Sequence, residues 1–111
     1  MVKFKISEQY YRRSRPKQSL AQFEAWRTPQ GNVEGVIRKD PILRGHPKLE
    51  KEIVKHESRE LKLTYTKFSD RSDPKRMEKG HRVAQSKEPA WLRKEVRKLR
   101  TEAAKTNPRW L

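Results

Sequence analysis

Phe23-Glu24-Ala25-Trp26, Thr28-Pro29-Gln30-Gly31-Asn32 and Val33-Glu34-Gly35-Val36-Ile37 follow one another in the chain, and their order decides the fold. Two runs that can lie in a sheet flank a Pro-Gln-Gly-Asn segment rich in turn formers, which predicts a β-hairpin. Upstream, Val2, Phe4 and Ile6 alternate with Lys3 and Lys5, the period-two pattern of a half-buried strand over 2–6. A lone hairpin is marginal in water, so pairing of this strand with the hairpin is expected to complete a three-stranded antiparallel sheet.

Downstream of the hairpin the pattern changes to helical. Asp40-Pro41 and His46-Pro47 each place Pro at a first helical position. The first opens a short turn ended by Gly45. The second opens a long helix over about 47–66, with Leu49, Ile53 and Leu63 on its apolar stripe and Val54 and Leu61 beside it. Asp73-Pro74 opens a shorter helix carrying Met77, Gly80, His81 and Ala84 on one face. Glu88-Pro89 opens a last helix over about 89–105, with Leu92, Val96, Leu99 and Ala103 in line, and Asn107-Pro108 stops it. The expected class is α+β: a small N-terminal antiparallel sheet packed by about three C-terminal helices, forming a single basic domain over 1–111. Residues 9–19 are expected to be an exposed basic arm or loop, and 106–111 a flexible tail.

The 111 residues carry 29 Lys and Arg against 14 Asp and Glu, a formal charge of +15, with mean hydropathy −1.23. Such a field attracts phosphate polymers or other polyanions. No apolar run approaches the length that spans a bilayer, and the first residues lack the apolar segment of a secretion signal, so a membrane partner is not expected. The absence of Cys removes disulfides and thiolate metal sites and fits a cytoplasmic location.

Within the long helix, His56-Glu57-Ser58-Arg59-Glu60 carries chemistry. Positions 49, 53, 56, 60 and 63 share one helical face, so His56 and Glu60 fall on the apolar stripe with Glu57 at its edge. Ionisable groups in that position are costly unless paired with one another or bound to a cation. The segment 53–84 resembles small phage- and archaeal-type zincin-like domains, whose pattern is His-Glu-x-x-Glu followed by a downstream His and small residues, here Gly80-His81-Arg82-Val83-Ala84. That resemblance implies a single zinc ion held by His56, Glu60 and His81, with Glu57 as the base that deprotonates a water polarised by the metal. The alternative is purely structural: His56 hydrogen-bonded at a boundary, the acids paired with nearby bases, and no cofactor. His46 reads as a cap or loop residue.

Positive charge gathers in three places. The arm holds Arg12, Arg13, Arg15 and Lys17, with Tyr10 and Tyr11 placed to stack on bases. A loop and the helix after it hold Arg71, Lys75, Arg76, Lys79 and Arg82. The last helix holds Arg93, Lys94, Arg97, Lys98 and Arg100. No base-reading module is present, so recognition of backbone and shape is expected. The function favoured by composition is non-catalytic binding of nucleic acid, DNA or RNA, as in a component of a nucleoprotein particle. A metal-dependent hydrolase centred on His56, Glu57, Glu60 and His81 is the second expectation, and an adaptor for an acidic protein partner the third.

Overall fold

Gly31 has φ +82°, a conformation that a residue without Cβ enters at little cost. It closes the turn expected at Pro-Gln-Gly-Asn: its N–H donates to Thr28 O at 2.9 Å, and Thr28 N–H donates to Asn32 O at 2.8 Å. In the computed structural model, which describes residues 2–110, strand β2 (Ala21–Arg27) and strand β3 (Val33–Lys39) run from this turn as an antiparallel pair, Phe23 facing Ile37. Strand β1 (Phe4–Tyr10) lies on the other side of β3, giving the order β1-β3-β2.

The α+β class holds, with one correction: β1 runs parallel to β3, Phe4 opposite Val33 and Tyr10 opposite Lys39, so the sheet is mixed and not wholly antiparallel. The apolar content of β3 accounts for the arrangement. Val33, Val36 and Ile37 are all buried, and the most apolar strand takes the central place, where both edges are paired. The more exposed strands β1 and β2 take the edges. Residues 11–20 must then cross the end of β3 from one edge to the other.

That crossing segment was expected to be an exposed arm. It begins later, since Gln9 and Tyr10 belong to β1, and it is fastened at several points. Tyr11 N–H donates to Lys39 O at 2.8 Å, and Arg15 N–H to Asp40 Oδ2 at 2.7 Å. The Arg100 guanidinium donates to Pro16 O at 3.1 Å and Gln18 O at 3.2 Å. Arg12, Arg13 and Lys17 remain on the outside of this strap.

Asp40 also caps the 3-10 turn Pro41–Gly45 through Ile42 N–H at 3.0 Å. Helix α1 (Pro47–Thr64) follows with Pro at its first position, then α2 (Arg76–Ser86) and α3 (Trp91–Ala104). Asp73 accepts Lys75 N–H at 2.9 Å, but the helix proper starts at Arg76, later than Pro74. Leu61 is fully buried against the sheet while Leu63 is only half-buried, so the core-facing stripe of α1 turns toward Leu61 and Thr64 in its last turns.

The main core joins Leu20, Ile37, Leu43, Leu49, Ile53, Leu92, Leu99 and Trp110. Trp110 corrects the expected tail. A 3-10 turn over Pro108–Trp110 folds back on α3 and leaves Trp110 only 5% exposed; Leu111 lies outside the described residues. Burying an indole removes a large apolar area from water, which outweighs the entropy of holding a short terminal segment. No helix among the described residues is long and apolar enough to cross a membrane.

Candidate metal centre

Helix α1 sets His56 and Glu60 one turn apart on the side that faces α2 and α3, so their side chains converge by helical geometry alone. His56 Nε2 lies 3.2 Å from Glu60 Oε2. The partner from α2 arrives because Gly80 is buried against α1. A methyl group on Gly80 would sit 3.6 Å from Glu60 O and 3.5 Å from Thr64 Oγ1, so the two backbones pass close together there. The next residue, His81, brings Nδ1 to 3.3 Å from the same Glu60 Oε2. One donor atom from each of the three residues lies within 4.8 Å of the other two.

These separations suit a small dication. Four ligands about 2.0–2.1 Å from zinc in a tetrahedron stand about 3.3 Å from one another. Two imidazoles and one carboxylate form a donor set that zinc accepts readily. The His56 and Glu60 side chains are 9% and 12% exposed and His81 is 50% exposed, so the trio is closed on the α1 side and open toward solvent at His81. An open position is what separates a reactive zinc site from a structural one.

Glu88, just ahead of α3, stands behind His56, with Oε1 2.7 Å from Nδ1. The carboxylate lies off the ring's N–H axis, and Nδ1 has no hydrogen-bond partner among the described residues. A small rotation of Glu88 would make the carboxylate–histidine pairing that orients metal-binding imidazoles. Sequence reading placed Glu88 only as a helix start. Nothing in its spacing from position 56 marks it, because α3 must first dock on α1.

The ionisation states follow from this crowding. Glu57 is pushed up to about 8, chiefly by burial and further by the neighbouring Glu60 carboxylate, against a smaller opposing pull from His56. The His56 imidazole is raised above its ordinary value, first by Glu60; desolvation works against this, and Glu57 and Glu88 add to the rise. Burial alone would raise Glu60, but the two imidazoles outweigh it and hold Glu60 below the usual carboxylate range. Glu57 therefore keeps its proton at neutral pH, and a dication held nearby would favour its loss.

A cavity of about 630 Å³ opens beside the trio. His56, Glu57, His81 and Glu88 face it, Leu20, Ile53, Leu92, Val96 and Trp110 form its apolar wall, and Arg93, Arg97 and Arg100 line it from α3. His46 lies elsewhere, at the start of α1, with no side-chain capping bond.

Of the sixteen expected nucleic-acid contacts, several already have partners within the chain. In the arm group, Tyr10 is already engaged: its hydroxyl bonds Glu50, and Lys39 and Arg44 lie 4.3 Å and 4.4 Å over its ring. Tyr11 donates to Gln22 and carries the Arg15 guanidinium at 4.5 Å. In the second group Lys79 pairs with Asp73 at 2.6 Å, Arg82 with Glu78 at 2.6 Å, and Arg76 donates to Thr64 O at 3.0 Å, leaving Arg71 and the Lys75 ammonium without ion pairs among the described residues. On α3, Lys98 stands 3.9 Å from Glu95, and Arg100 is committed to the strap, whereas Arg93, Lys94 and Arg97 make no ion pair among the described residues.

Comparison with protein-family models, curated proteins and solved structures returned no match to this chain. The trio can hold a metal ion on its own geometry, independent of any relative.

Proposed function

We propose that this chain is a minimal metal-dependent hydrolase of the zincin type, acting on peptide or similar acyl bonds, with zinc held by His56, Glu60 and His81. The observation that carries the reading is the approach of two imidazole nitrogens, from different helices, to one oxygen of Glu60, at 3.2 Å and 3.3 Å. Zinc supplies Lewis acidity toward a carbonyl oxygen and toward water. Glu57, on the same cavity, takes the proton of the attacking water and returns it to the leaving amine. Near a dication its carboxylate ionises more readily than in the metal-free protein, which brings it toward the range useful to a base at neutral pH. A small rotation of Glu88 would let its carboxylate orient the His56 ring from behind. The apolar wall excludes bulk water from the reacting bond.

The test has two stages. Zinc titration of the chelator-stripped protein is expected to show one tight site, lost in His56→Ala and His81→Ala. Zinc-loaded protein is then assayed on a mixed peptide library, with Glu57→Gln expected to bind zinc and cleave at least 100-fold more slowly. Absence of a zinc site in the unaltered protein would sink the proposal.

A second reading, shape-directed binding of DNA or RNA without catalysis, draws on the charge of +15 and on Arg93, Lys94 and Arg97, which make no ion pair among the described residues. It predicts micromolar or tighter binding to generic nucleic acid with a steep salt dependence. Weak binding at low salt removes it. An acidic protein in place of nucleic acid would satisfy the same cations and is separated by the same titration.

A further inference from the structure

The cavity beside the trio has two chemical characters, and together they define what fits it. Its wall is mainly aliphatic, formed by Leu20, Ile53, Leu92 and Val96, with the edge of Trp110. Its α3 side carries Arg93, Arg97 and Arg100, spaced four and three residues apart and therefore in one line along the helix. With a rise of about 1.5 Å per residue, this line extends about 10 Å, leading away from Glu88 and the His56 end of α3.

Arg100 is occupied, since it holds the strap carbonyls and lies 5.6 Å from the Trp110 ring. Arg93 and Arg97 are exposed and make no ion pair among the described residues, although Glu57 and Glu88 line the same cavity. Glu60 and Glu88 are turned to the histidines, and the Arg93 and Arg97 guanidinium groups are left for a ligand. A negatively charged side chain of a ligand is thus drawn to the α3 side of the cavity, which favours one direction for the ligand.

The geometry points to a specificity subsite: Arg93 and Arg97 select peptides with an acidic side chain, lying two to four residues from a carbonyl held at the His56–Glu60–His81 end, with an aliphatic residue between them on Ile53, Leu92 and Val96. The inference deepens the hydrolase reading and rests on it for the carbonyl end. An extended peptide rises about 3.3 Å per residue, so two to four residues cover about 7–13 Å, and the stretch of α3 from Trp91 to Arg97 is about 9 Å. Guanidinium groups form forked pairs with carboxylates, which favours Asp or Glu over a neutral residue. The wall favours peptide over nucleic acid, because it offers aliphatic surface where a base needs an aromatic face. Trp110 is 5% exposed and already covered by Arg100, and Trp91 lies outside this cavity.

The experiment measures binding of labelled peptides to the full chain with and without zinc, by fluorescence anisotropy at low salt. The peptides share an aliphatic centre and carry Glu, Gln or Lys at the flanking position; a single-stranded oligonucleotide serves as competitor. The Glu peptide is expected to bind at least tenfold more tightly than the Gln peptide, with the ratio falling to about one in the Arg93→Gln/Arg97→Gln variant and in high salt. Equal binding of Glu and Gln peptides to the unaltered protein, no binding of any peptide, or tighter binding of the oligonucleotide than of the Glu peptide would overturn the inference. The peptide comparison on the unaltered chain decides the matter even if the double variant fails to fold. Failure of the hydrolase reading is distinct: the zinc titration is then flat while the preference for Glu persists in both preparations.

Discussion

His81 Nδ1 stands 3.3 Å from Glu60 Oε2, although the two residues are 21 positions apart and sit on different helices. Helix α1 supplies His56 and Glu60 to the same point by its own periodicity. Only the packing of α2 on α1 adds the third donor. The site therefore depends on an interhelical contact, and its properties report on that contact.

Zinc binding should displace protons. His56 and Glu57 both have raised pKa values in the metal-free chain, Glu57 to about 8, so a dication arriving at neutral pH competes with bound protons. Apparent zinc affinity is expected to increase with pH between about 6 and 8. Calorimetry in buffers of different ionisation enthalpy measures the proton count directly. An affinity independent of pH over that range would show that these groups lie outside the binding equilibrium.

Without metal, the same two groups make the protein less stable as pH rises. Glu57 ionises near 4.5 in the unfolded chain but only at about 8 when folded. The unfolded state therefore releases this proton first, and folding is progressively disfavoured from about pH 4.5 to 8. The raised His56 pKa acts in the same direction: its contribution is present below 6.5 and is lost as pH passes through the folded value. Melting of chelator-treated protein should fall across pH 5–8.5, and Glu57→Gln should remove much of the fall. At pH 8 that variant is expected to be more stable by an amount on the order of 1–3 kcal/mol.

Two glycines predict opposite results. A methyl group on Gly35 would lie 2.7 Å from Leu61 Cδ1 and 3.2 Å from Glu24 O, where α1 crosses the sheet. Leu61 is fully buried and has no room to withdraw, so Gly35→Ala is expected to cost about 1–3 kcal/mol. On Gly80 the methyl meets Thr64 Oγ1 at 3.5 Å and Glu60 O at 3.6 Å, ordinary contact distances within a helix. Gly80→Ala is expected to be neutral or to stabilise by up to about 1 kcal/mol, because Ala restricts the unfolded chain. Urea unfolding of both variants checks the pair, and zinc affinity of the second shows whether His81 keeps its place.

Truncation of Trp110 should show that the end of the chain is structural. The ring lies in the main core at 5% exposure, so Trp110→Ala is expected to cost about 3–5 kcal/mol, and Trp110→Phe a smaller amount. Denaturant midpoints at constant slope would read the loss. An unchanged midpoint in Trp110→Ala would mean that the ring contributes no packing energy.

Much of this was legible in local sequence. The Pro-Gln-Gly-Asn turn, the Pro residues that open the 3-10 turn and α1, and the line through His56 and Glu60 are each set within a few residues, by backbone sterics and by helical spacing. Element ends shifted by a few residues, as at Arg76 and Tyr10, and the larger failures are long-range. The direction of β1 depended on which strand took the centre of the sheet. Residues 9–19 were expected to be an exposed arm or loop; most of those past Tyr11 are exposed, but their fastening to Asp40 and Arg100 left no local mark because those partners are remote in sequence. Lys39, at the end of β3, is 5% exposed and held by Glu8 at 3.0 Å and Glu50 at 3.3 Å, partners 31 and 11 positions away that no local pattern marks.

By itself the sequence determined the α+β class, the hairpin, the helical face that carries His56 and Glu60, and the excess of positive charge, because each follows from spacing along the chain. Tertiary structure alone decided that β3 would be central and β1 parallel to it, that Trp110 would enter the core, that Glu88 would stand behind His56, and that Arg93 and Arg97 would line the cavity without an ion pair among the described residues. These depend on burying the most apolar surface and on pairing charges across elements, choices that compete over the whole molecule and leave no mark at any one position.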